Sequence, residues 1–188
     1  MRVLILAPTA TEAQALVPGL EAAGAKVAGT TDGHQLVREA IRHAPELVVA
    51  CLPTVPAPTF EALRLLAETA PCAVLAVTDD ESPELMDQAL RLGVGAWVVR
   101  GAPQSRWAPL MALALRRHAL QQAQRAEVAR LRAQLDERKW VDRAKGLLMR
   151  DNALSEEKAF QLLRTASMHA NLRVGEVISL EGRRNMNV

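Results

Sequence analysis

Short apolar runs alternate with helix-like segments through the first half of this 188-residue chain. Five of the runs have the length of a β-strand, at residues 2–7, 26–30, 46–53, 72–78 and 96–100. The third, ELVVACLP, is apolar almost throughout, which is typical of a strand that is buried on both faces. Strands that alternate with helices favour a parallel sheet covered on both sides. We therefore predict an α/β domain built on a doubly wound, five-stranded parallel sheet.

The segments between these strands carry helix signals. The segment 11–24 has Thr11 as a candidate N-cap and Gly24 as its stop, and the segment 82–93 begins at Ser82, with a proline next. Helices are also predicted over 32–44 and 58–70. A last helix of this domain begins near residue 104, after the fifth strand.

A long helix is predicted to follow, because no strong helix breaker occurs between Trp107 and Gly146. A helix of about 40 residues is unusually long for a compact domain. Within it Val128, Leu131 and Leu135 form a narrow apolar stripe flanked by charged residues, the pattern of a two-stranded coiled coil. We expect a homodimer through these three residues. A single helix packed on its own domain is the alternative.

Two shorter helical segments come after the long helix. In LSEEKAFQLLRTASMHA (154–170), Ser155 is the candidate N-cap, glutamates occupy the first turn, and the predicted inner face consists of Ala159, Leu162, Leu163 and Ala166. The last segment, RVGEVISLEG (173–182), predicts a short helix. The predicted organisation has three parts: a sheet domain over 1–106, a linking helix over 107–137 and a three-helix unit over 138–188.

Charge is divided unevenly along the chain, whose net charge is +2. Residues 1–115 hold 8 basic and 12 acidic side chains, whereas residues 116–188 hold 15 basic and 9 acidic ones. This asymmetry points to a polyanion-binding end on an acidic body. A solvated helical surface is the alternative interpretation.

The two cysteines, Cys51 and Cys72, lie in apolar surroundings. Buried thiols outside any disulfide framework are typical of a reduced compartment, so we expect a cytoplasmic protein. The opening MRVLILAPTA has an apolar run of strand length, too short for a secretory signal. No run is long enough to predict a membrane span.

The order, length and spacing of the five strands resemble the receiver domain of bacterial response regulators. A working receiver needs acidic residues after strand one, an Asp ending strand three, a Thr or Ser after strand four and a Lys after strand five. The carboxylates hold Mg²⁺ and accept the phosphoryl group. This chain has Ala7, Pro8, Cys51, Thr78 and Ala102 at those places. Only the threonine matches, so we expect a degenerate phospho-acceptor pocket that is not phosphorylated by the receiver route.

No other pattern indicates catalysis. The four histidines are scattered without metal-ligand spacing, and there is no P-loop, GxGxxG or Ser/His/Asp arrangement. Cys51 has no base within a few residues and lies in an apolar strand, which favours a structural thiol over a nucleophile. We expect a protein that is not an enzyme, with no catalytic residue, no cofactor and no metal.

The C-terminal unit carries a specific combination of short motifs. They are AKGLLM (144–149), LSEE (154–157), AF (159–160), LLR (162–164), AS (166–167) and Asn171. This combination, over about residues 138–182, resembles the ANTAR domain, an RNA-binding three-helix module found behind receiver-like domains in bacteria. ALRLGVGAWVVRG and LDERKWVDRAKGLLM make the whole chain similar to the nitrate-responsive antiterminators of the NasT kind.

The resemblance implies a mechanism. Such proteins dimerise and bind a pair of small hairpins in a nascent leader RNA, which keeps a terminator hairpin from forming. An inhibitory ligand-sensing partner protein, rather than phosphorylation, controls them, here for nitrate or nitrite assimilation genes. Cys51 departs from the Asp that many relatives keep, which fits control by a partner. Gly175 interrupts the last helix, which weakens the expectation of a regular third helix.

The same unit supplies candidate RNA-binding residues. Four basic side chains are candidates for phosphate contacts, each of which would release counterions: Lys145, Arg150, Arg164 and Arg173. Ser167 and Asn171 lie four residues apart on one helix face, where a hydroxyl and an amide can read exposed loop bases.

Two other functions remain as alternatives. One is a DNA-binding regulator in which the C-terminal helices act as a helix-turn-helix; the other is a dimerising, phosphorylated signalling protein with a non-RNA output. RNA is favoured because no recognition helix with base-reading Arg, Asn or Gln is evident.

Overall fold

The computed structural model describes residues 1–99 and 104–170. The chain forms two compact units, Met1–Ala123 and Gln124–Val188. The strands are β1 (Arg2–Leu6), β2 (Lys26–Thr31), β3 (Leu47–Cys51), β4 (Ala73–Thr78) and β5 (Ala96–Val99). The helices are α1 (Ala10–Ala22), α2 (Leu36–His43), α3 (Ala57–Thr69), α4 (Pro83–Leu92), α5 (Trp107–Asn152) and α6 (Glu156–Ala170). A 3₁₀ turn, Gln104–Arg106, precedes α5.

The five strands form one parallel sheet in the order β2-β1-β3-β4-β5. Strand β1 pairs with both β2 and β3, so the chain reverses its direction of winding between β1 and β3. This is the doubly wound α/β fold that the alternating pattern predicts, and the prediction is confirmed. The carboxyl ends of β1, β3 and β4 therefore lie side by side at one edge of the sheet.

Successive side chains of a strand pack into two different hydrophobic cores, because they alternate between the two faces of the sheet. Val3 and Ile5 belong to the core that includes residues of α1 and the first turns of α5. Leu4 and Leu6 belong to the opposite core, with residues of α2, α3 and α4. Every residue of β3 and of β4 is buried, as the apolar runs indicate.

The N-cap of helix α1 lies two residues before the predicted one. Thr9, not Thr11, is the N-cap: its Oγ1 accepts from the Glu12 backbone N–H at 3.2 Å and donates to the Glu12 carboxylate at 3.1 Å. Thr9 thus caps the helix through its hydroxyl, and the T-x-x-E spacing in the sequence is the signal of such an N-terminus. The prediction for α4 is confirmed, because Ser82 Oγ accepts from the Leu85 N–H.

Helix α5 approaches the sheet closely at Gly95, just before β5. A Cβ added at Gly95 would stand 2.7 Å from Ala114 Cα and 2.8 Å from Ala114 O. Met111 and Ala114 on the same turns of α5 are fully buried. The first turns of this helix are thus part of the core of the sheet unit.

The second unit comprises the rest of α5 and α6 among the described residues. Its buried side chains there are two alanines, Ala144 on α5 and Ala159 on α6. Leu163 is half-buried, but Leu162 and Ala166 are exposed, so the predicted inner face of α6 is only partly correct. Within the described part, a single stripe of α6 is covered. The predicted third helix, 173–182, lies outside the described residues.

Helix α5 has the length to cross a membrane but not the composition. No helix in the described ranges 1–99 and 104–170 is both long and apolar enough to do so.

Candidate nucleic-acid interface and degenerate receiver pocket

Adjacent strands bring most of the predicted pocket residues to one edge of the sheet. Ala7 follows β1, Cys51 ends β3 and Thr78 ends β4, and the register pairs Leu6 with Ala50 and Cys51 with Val77. This is the crevice in which open α/β sheets bind ligands. Ala7 is buried and Pro8 is exposed, so no carboxylate follows β1 here. Ala102 lies outside the part of the chain that the structure describes.

The Thr78 hydroxyl is committed to the turn after β4. Thr78 is fully buried; its Oγ1 donates to the Pro53 carbonyl at 3.1 Å and accepts from the Asp80 N–H at 3.2 Å. Asp80 in turn accepts from the Ser82 N–H at 2.8 Å. The one residue that matches a working receiver thus shapes a loop in this structure.

Neither thiol is in a reactive setting. Cys51 is 5% exposed. Burial of Cys72 raises the pKa of its thiol to about 11, which keeps it protonated at neutral pH. Cys51 ends β3 and Cys72 precedes β4, at opposite ends of parallel strands, and neither is in a disulfide. Across the described residues, no group of three or more His, Cys, Asp or Glu side chains could hold a metal ion.

An open cleft of about 450 Å³ lies beside the carboxyl ends of β1 and β2, and Ala7 and Pro8 are part of its lining. Its polar lining includes Thr31, Asp32, Gln35 and Glu39. The Thr31 hydroxyl is buried without a hydrogen-bond partner. The cleft thus includes the two residues that stand where a working receiver has its acidic pair, and it extends toward β2 and α2.

Lys145, in the AKGLLM motif, joins the two helices of the second unit. Its Nζ lies 2.8 Å from Glu156 Oε1 at the start of α6 and 3.2 Å from Asp142 Oδ1 on α5. Hydrogen bonds to the Glu156 carboxylate, which has the largest effect, and to the Asp142 carboxylate raise the pKa of Lys145. Only 19% of this side chain is exposed, so the ammonium is turned toward the α5–α6 junction.

The other predicted RNA contacts are distributed over both helices. Arg150 is exposed near the end of α5, Arg164 is exposed in the middle of α6, and Ser167 is half-buried. Asn171 and Arg173 lie beyond residue 170 and so outside the described residues.

The predicted dimer residues are open to solvent in the single chain. Val128, Leu131 and Leu135 are 46%, 45% and 60% exposed. Apolar side chains with this exposure on one helix stripe are available to a second helix.

The sequence analysis missed a tryptophan–arginine pair on the same helix. Trp140 is 43% exposed, and the Arg143 guanidinium lies 5.9 Å from the centroid of its ring. This distance allows a cation–π interaction. The available signal was a tryptophan in the charged run ERKWVDR, where helix packing alone gives no reason for an indole.

Comparison with known proteins identifies the second unit. Residues 129–177 match the ANTAR domain. A curated relative, the transcriptional regulatory protein PdtaR from Mycobacterium tuberculosis, is 30% identical over 181 residues, which span 94% of this chain and 88% of the relative.

Comparison with solved structures concerns the first unit. The response regulator domain of Thermotoga maritima CheB matches at 24% identity, with a TM-score of 0.52 over 63% of this chain and 95% of that domain. A signal receiver domain of a modulated diguanylate cyclase from Desulfovibrio desulfuricans matches at 20% identity, with a TM-score of 0.55 over 64% and 97%. These matches show the receiver fold. With the ANTAR match and the similarity to PdtaR along nearly the whole chain, they place this protein in the ANTAR-domain family of response regulators.

Proposed function

We propose that this protein is a transcription antitermination regulator that binds paired hairpins in a nascent leader RNA through its C-terminal unit. The observation that carries the proposal is the ANTAR match over residues 129–177, on the half of the chain with excess positive charge. Binding of the hairpins would keep a terminator from forming, so that the polymerase reads on.

Exposed arginines support a polyanion partner for this unit. Arg150 and Arg164 have exposed side chains on α5 and α6. Each phosphate that such a side chain neutralises releases condensed counterions, so affinity should fall steeply with salt. Ser167, with Asn171 and Arg173 beyond the described residues, completes the proposed contact set. Lys145 contributes through its ion pairs with Asp142 and Glu156, which hold the first turn of α6 beside α5.

Dimerisation fits a paired target. Two copies that bury Val128, Leu131 and Leu135 against each other would form a two-stranded coiled coil. Such a dimer would carry two ANTAR units, one for each hairpin. A second copy would also remove the exposed apolar stripe from water.

Control by a ligand-sensing partner protein fits the receiver pocket. Ala7, Pro8 and Cys51 offer no carboxylate to hold Mg²⁺ or to accept a phosphoryl group, and the Thr78 hydroxyl is already engaged. An inhibitory partner would then replace phosphorylation as the signal. The proposed setting is the cytoplasm, and nitrate or nitrite assimilation genes are the proposed targets on the strength of the NasT resemblance.

Binding measurements test the RNA proposal. The purified protein is titrated with a two-hairpin leader RNA and with a duplex DNA of equal length, each at two salt concentrations. We expect RNA binding that depends on the loop sequences and weakens in Arg164→Ala but not in Arg91→Ala, a control on the exposed surface of α4. Equal, salt-sensitive binding to both would contradict the proposal, and preference for the duplex would favour a DNA-binding regulator.

Acetyl phosphate labelling tests the control mechanism. We expect no acid-stable or acid-labile phosphate on the protein under conditions that label a working receiver. Stoichiometric labelling would contradict partner control and favour the phosphorylated signalling protein.

A further inference from the structure

The end of α5 presents three different faces. Successive residues are about 100° apart around an α-helix, so position in the sequence fixes direction. Val128, Leu131 and Leu135 define the apolar seam. The buried Ala144 and the ion-paired Lys145 define a second face, at the junction with α6. A third face, here called the Trp140 face, consists of Trp140, Arg143, Leu147 and Arg150.

The Trp140 face is aromatic, apolar and basic at once. Trp140 is 43% exposed and Leu147 is 45% exposed. The Arg143 guanidinium lies 5.9 Å from the indole centroid, and Arg150 is exposed two turns further along. The indole therefore has a positive charge beside it, and Arg150 lies in line with Arg143, about 15 Å along the helix from Trp140.

A second copy of the chain does not account for this face. Trp140 points about 150° away from the centre of the seam, so it lies on the outer side of the proposed coiled coil. The chain has only five aromatic residues, and the other two tryptophans are half-buried in the sheet unit. An exposed indole on the outer side of the helix therefore calls for another occupant.

Two of the acids near the Trp140 face are paired with lysines. Asp142 is directed to Lys145 at 3.2 Å, on the junction face. Asp136, one turn before Trp140, lies 3.5 Å from Lys139. Asp136 and Asp142 are thus each countered by a lysine, whereas Glu137, also one turn before Trp140, is half-buried. Arg143 places a positive charge directly beside the indole.

We propose that Trp140 and Arg143 form a stacking platform for an unpaired RNA base, with the guanidinium of Arg143 on a flanking phosphate. Sequence-specific RNA binding relies on unstacked loop bases, which stack on aromatic rings and on guanidinium planes. Such stacking tolerates any base because every base has a π-face. This proposal rests on the proposed RNA function and identifies an unpaired base as the part of the RNA that the Trp140 face binds.

The test uses the full-length protein and a defined probe. A two-hairpin RNA library with randomised loops is enriched on the wild-type protein, and the enriched RNA is compared with the same stems closed into a continuous duplex. Trp140→Leu removes the π-system but keeps an apolar, helix-forming side chain. Trp140→Phe keeps a smaller ring. Phe160→Leu is the matched control, because Phe160 is 46% exposed on α6 and outside the platform.

We expect Trp140→Leu to weaken binding of the looped RNA by about 5- to 100-fold, the range for loss of one stacked base, with duplex binding unchanged. Trp140→Phe should recover part of the affinity, and Phe160→Leu should bind as the wild type does. Arg143→Ala should weaken both RNAs and reduce the salt dependence.

Three outcomes would overturn the platform. If the wild type prefers looped RNA and Trp140→Leu retains that preference, the platform fails while the RNA function stands. If the wild type shows no preference for looped RNA, the RNA function fails and the platform with it. If Trp140→Leu changes self-association and leaves RNA affinity intact, the face is a protein contact.

Discussion

The two units of this chain treat their apolar side chains in opposite ways. In Met1–Ala123 the sheet separates two filled cores, and all residues of β3 and β4 are buried. In the described part of Gln124–Val188, the buried residues are two alanines. Nine of its large apolar side chains are 38% to 73% exposed: Val128, Leu131, Leu135, Trp140, Leu147, Met149, Phe160, Leu162 and Met168.

The difference shows which unit depends on contacts beyond its described residues. Burial of apolar area is the main favourable term in folding, so the sheet unit holds itself together. The described part of the helical unit buries little apolar area, and exposed apolar surface of this kind marks interaction sites. A regulator whose output end is completed by binding can couple assembly to its signal.

The largest effect should come from the core of the sheet unit. Leu75 on β4 is fully buried, so Leu75→Ala should lower the free energy of unfolding by about 3 kcal/mol. Leu147→Ala, the same change at a 45% exposed position of the helical unit, should cost less than about 1 kcal/mol. Urea unfolding followed by circular dichroism measures both. Equal losses would show that the helical unit has a core of its own.

The second-largest effect should be on dimerisation, when a residue of the apolar seam is changed. Leu131→Glu places a charge where the coiled coil would bury leucine, and we expect it to raise the dimer dissociation constant at least about 100-fold. Sedimentation equilibrium measures the constant. Leu65→Glu, at a 40% exposed leucine of α3, is the control that should leave it unchanged. A wild type that stays monomeric at high concentration would rule out the seam.

Two glycines should give effects of opposite sign. Gly95→Ala should destabilise the sheet unit by about 2 kcal/mol, because the new Cβ would meet the α5 backbone at Ala114. Gly146→Ala should stabilise α5 by about 1 kcal/mol, because nothing lies within 4 Å and alanine is the better helix former. Thermal unfolding of each variant beside the wild type decides the sign. A destabilising Gly146→Ala would reveal a close contact at that glycine, such as a partner helix.

The smallest effect should come from the ion pairs of Lys145. Lys145→Met keeps the stem and removes the charge that bridges Asp142 and Glu156, so α6 should exchange its amide hydrogens faster. Lys139→Met, which breaks an exposed pair with Asp136, is the control and should leave α6 unchanged. Salt should weaken the Lys145 effect, since the pairs are solvent-screened. Unchanged exchange in α6 would show that the junction does not depend on this lysine.

The sheet unit was predictable because its signals are local and redundant. Each strand is a short apolar run, and helix ends carry caps such as Ser82, so fold class and element order follow from pattern alone. The N-cap of α1 was misplaced because two threonines, Thr9 and Thr11, compete for the role. Only the reciprocal bonds between Thr9 and Glu12 distinguish them. The inner face of α6 was harder, because the period of a helix admits several stripes and packing selects one.

The sequence by itself determined the parallel α/β sheet, the long helix and the absence of carboxylates at the positions of Ala7, Pro8 and Cys51, since these depend on residue identity and period. The tertiary structure decided how individual polar groups are used. It ties the Thr78 hydroxyl to a turn, turns Lys145 to the α5–α6 junction and leaves Trp140 exposed beside Arg143. Such pairings join atoms that local pattern does not relate, because they depend on which helix faces and strand ends the folded chain brings together.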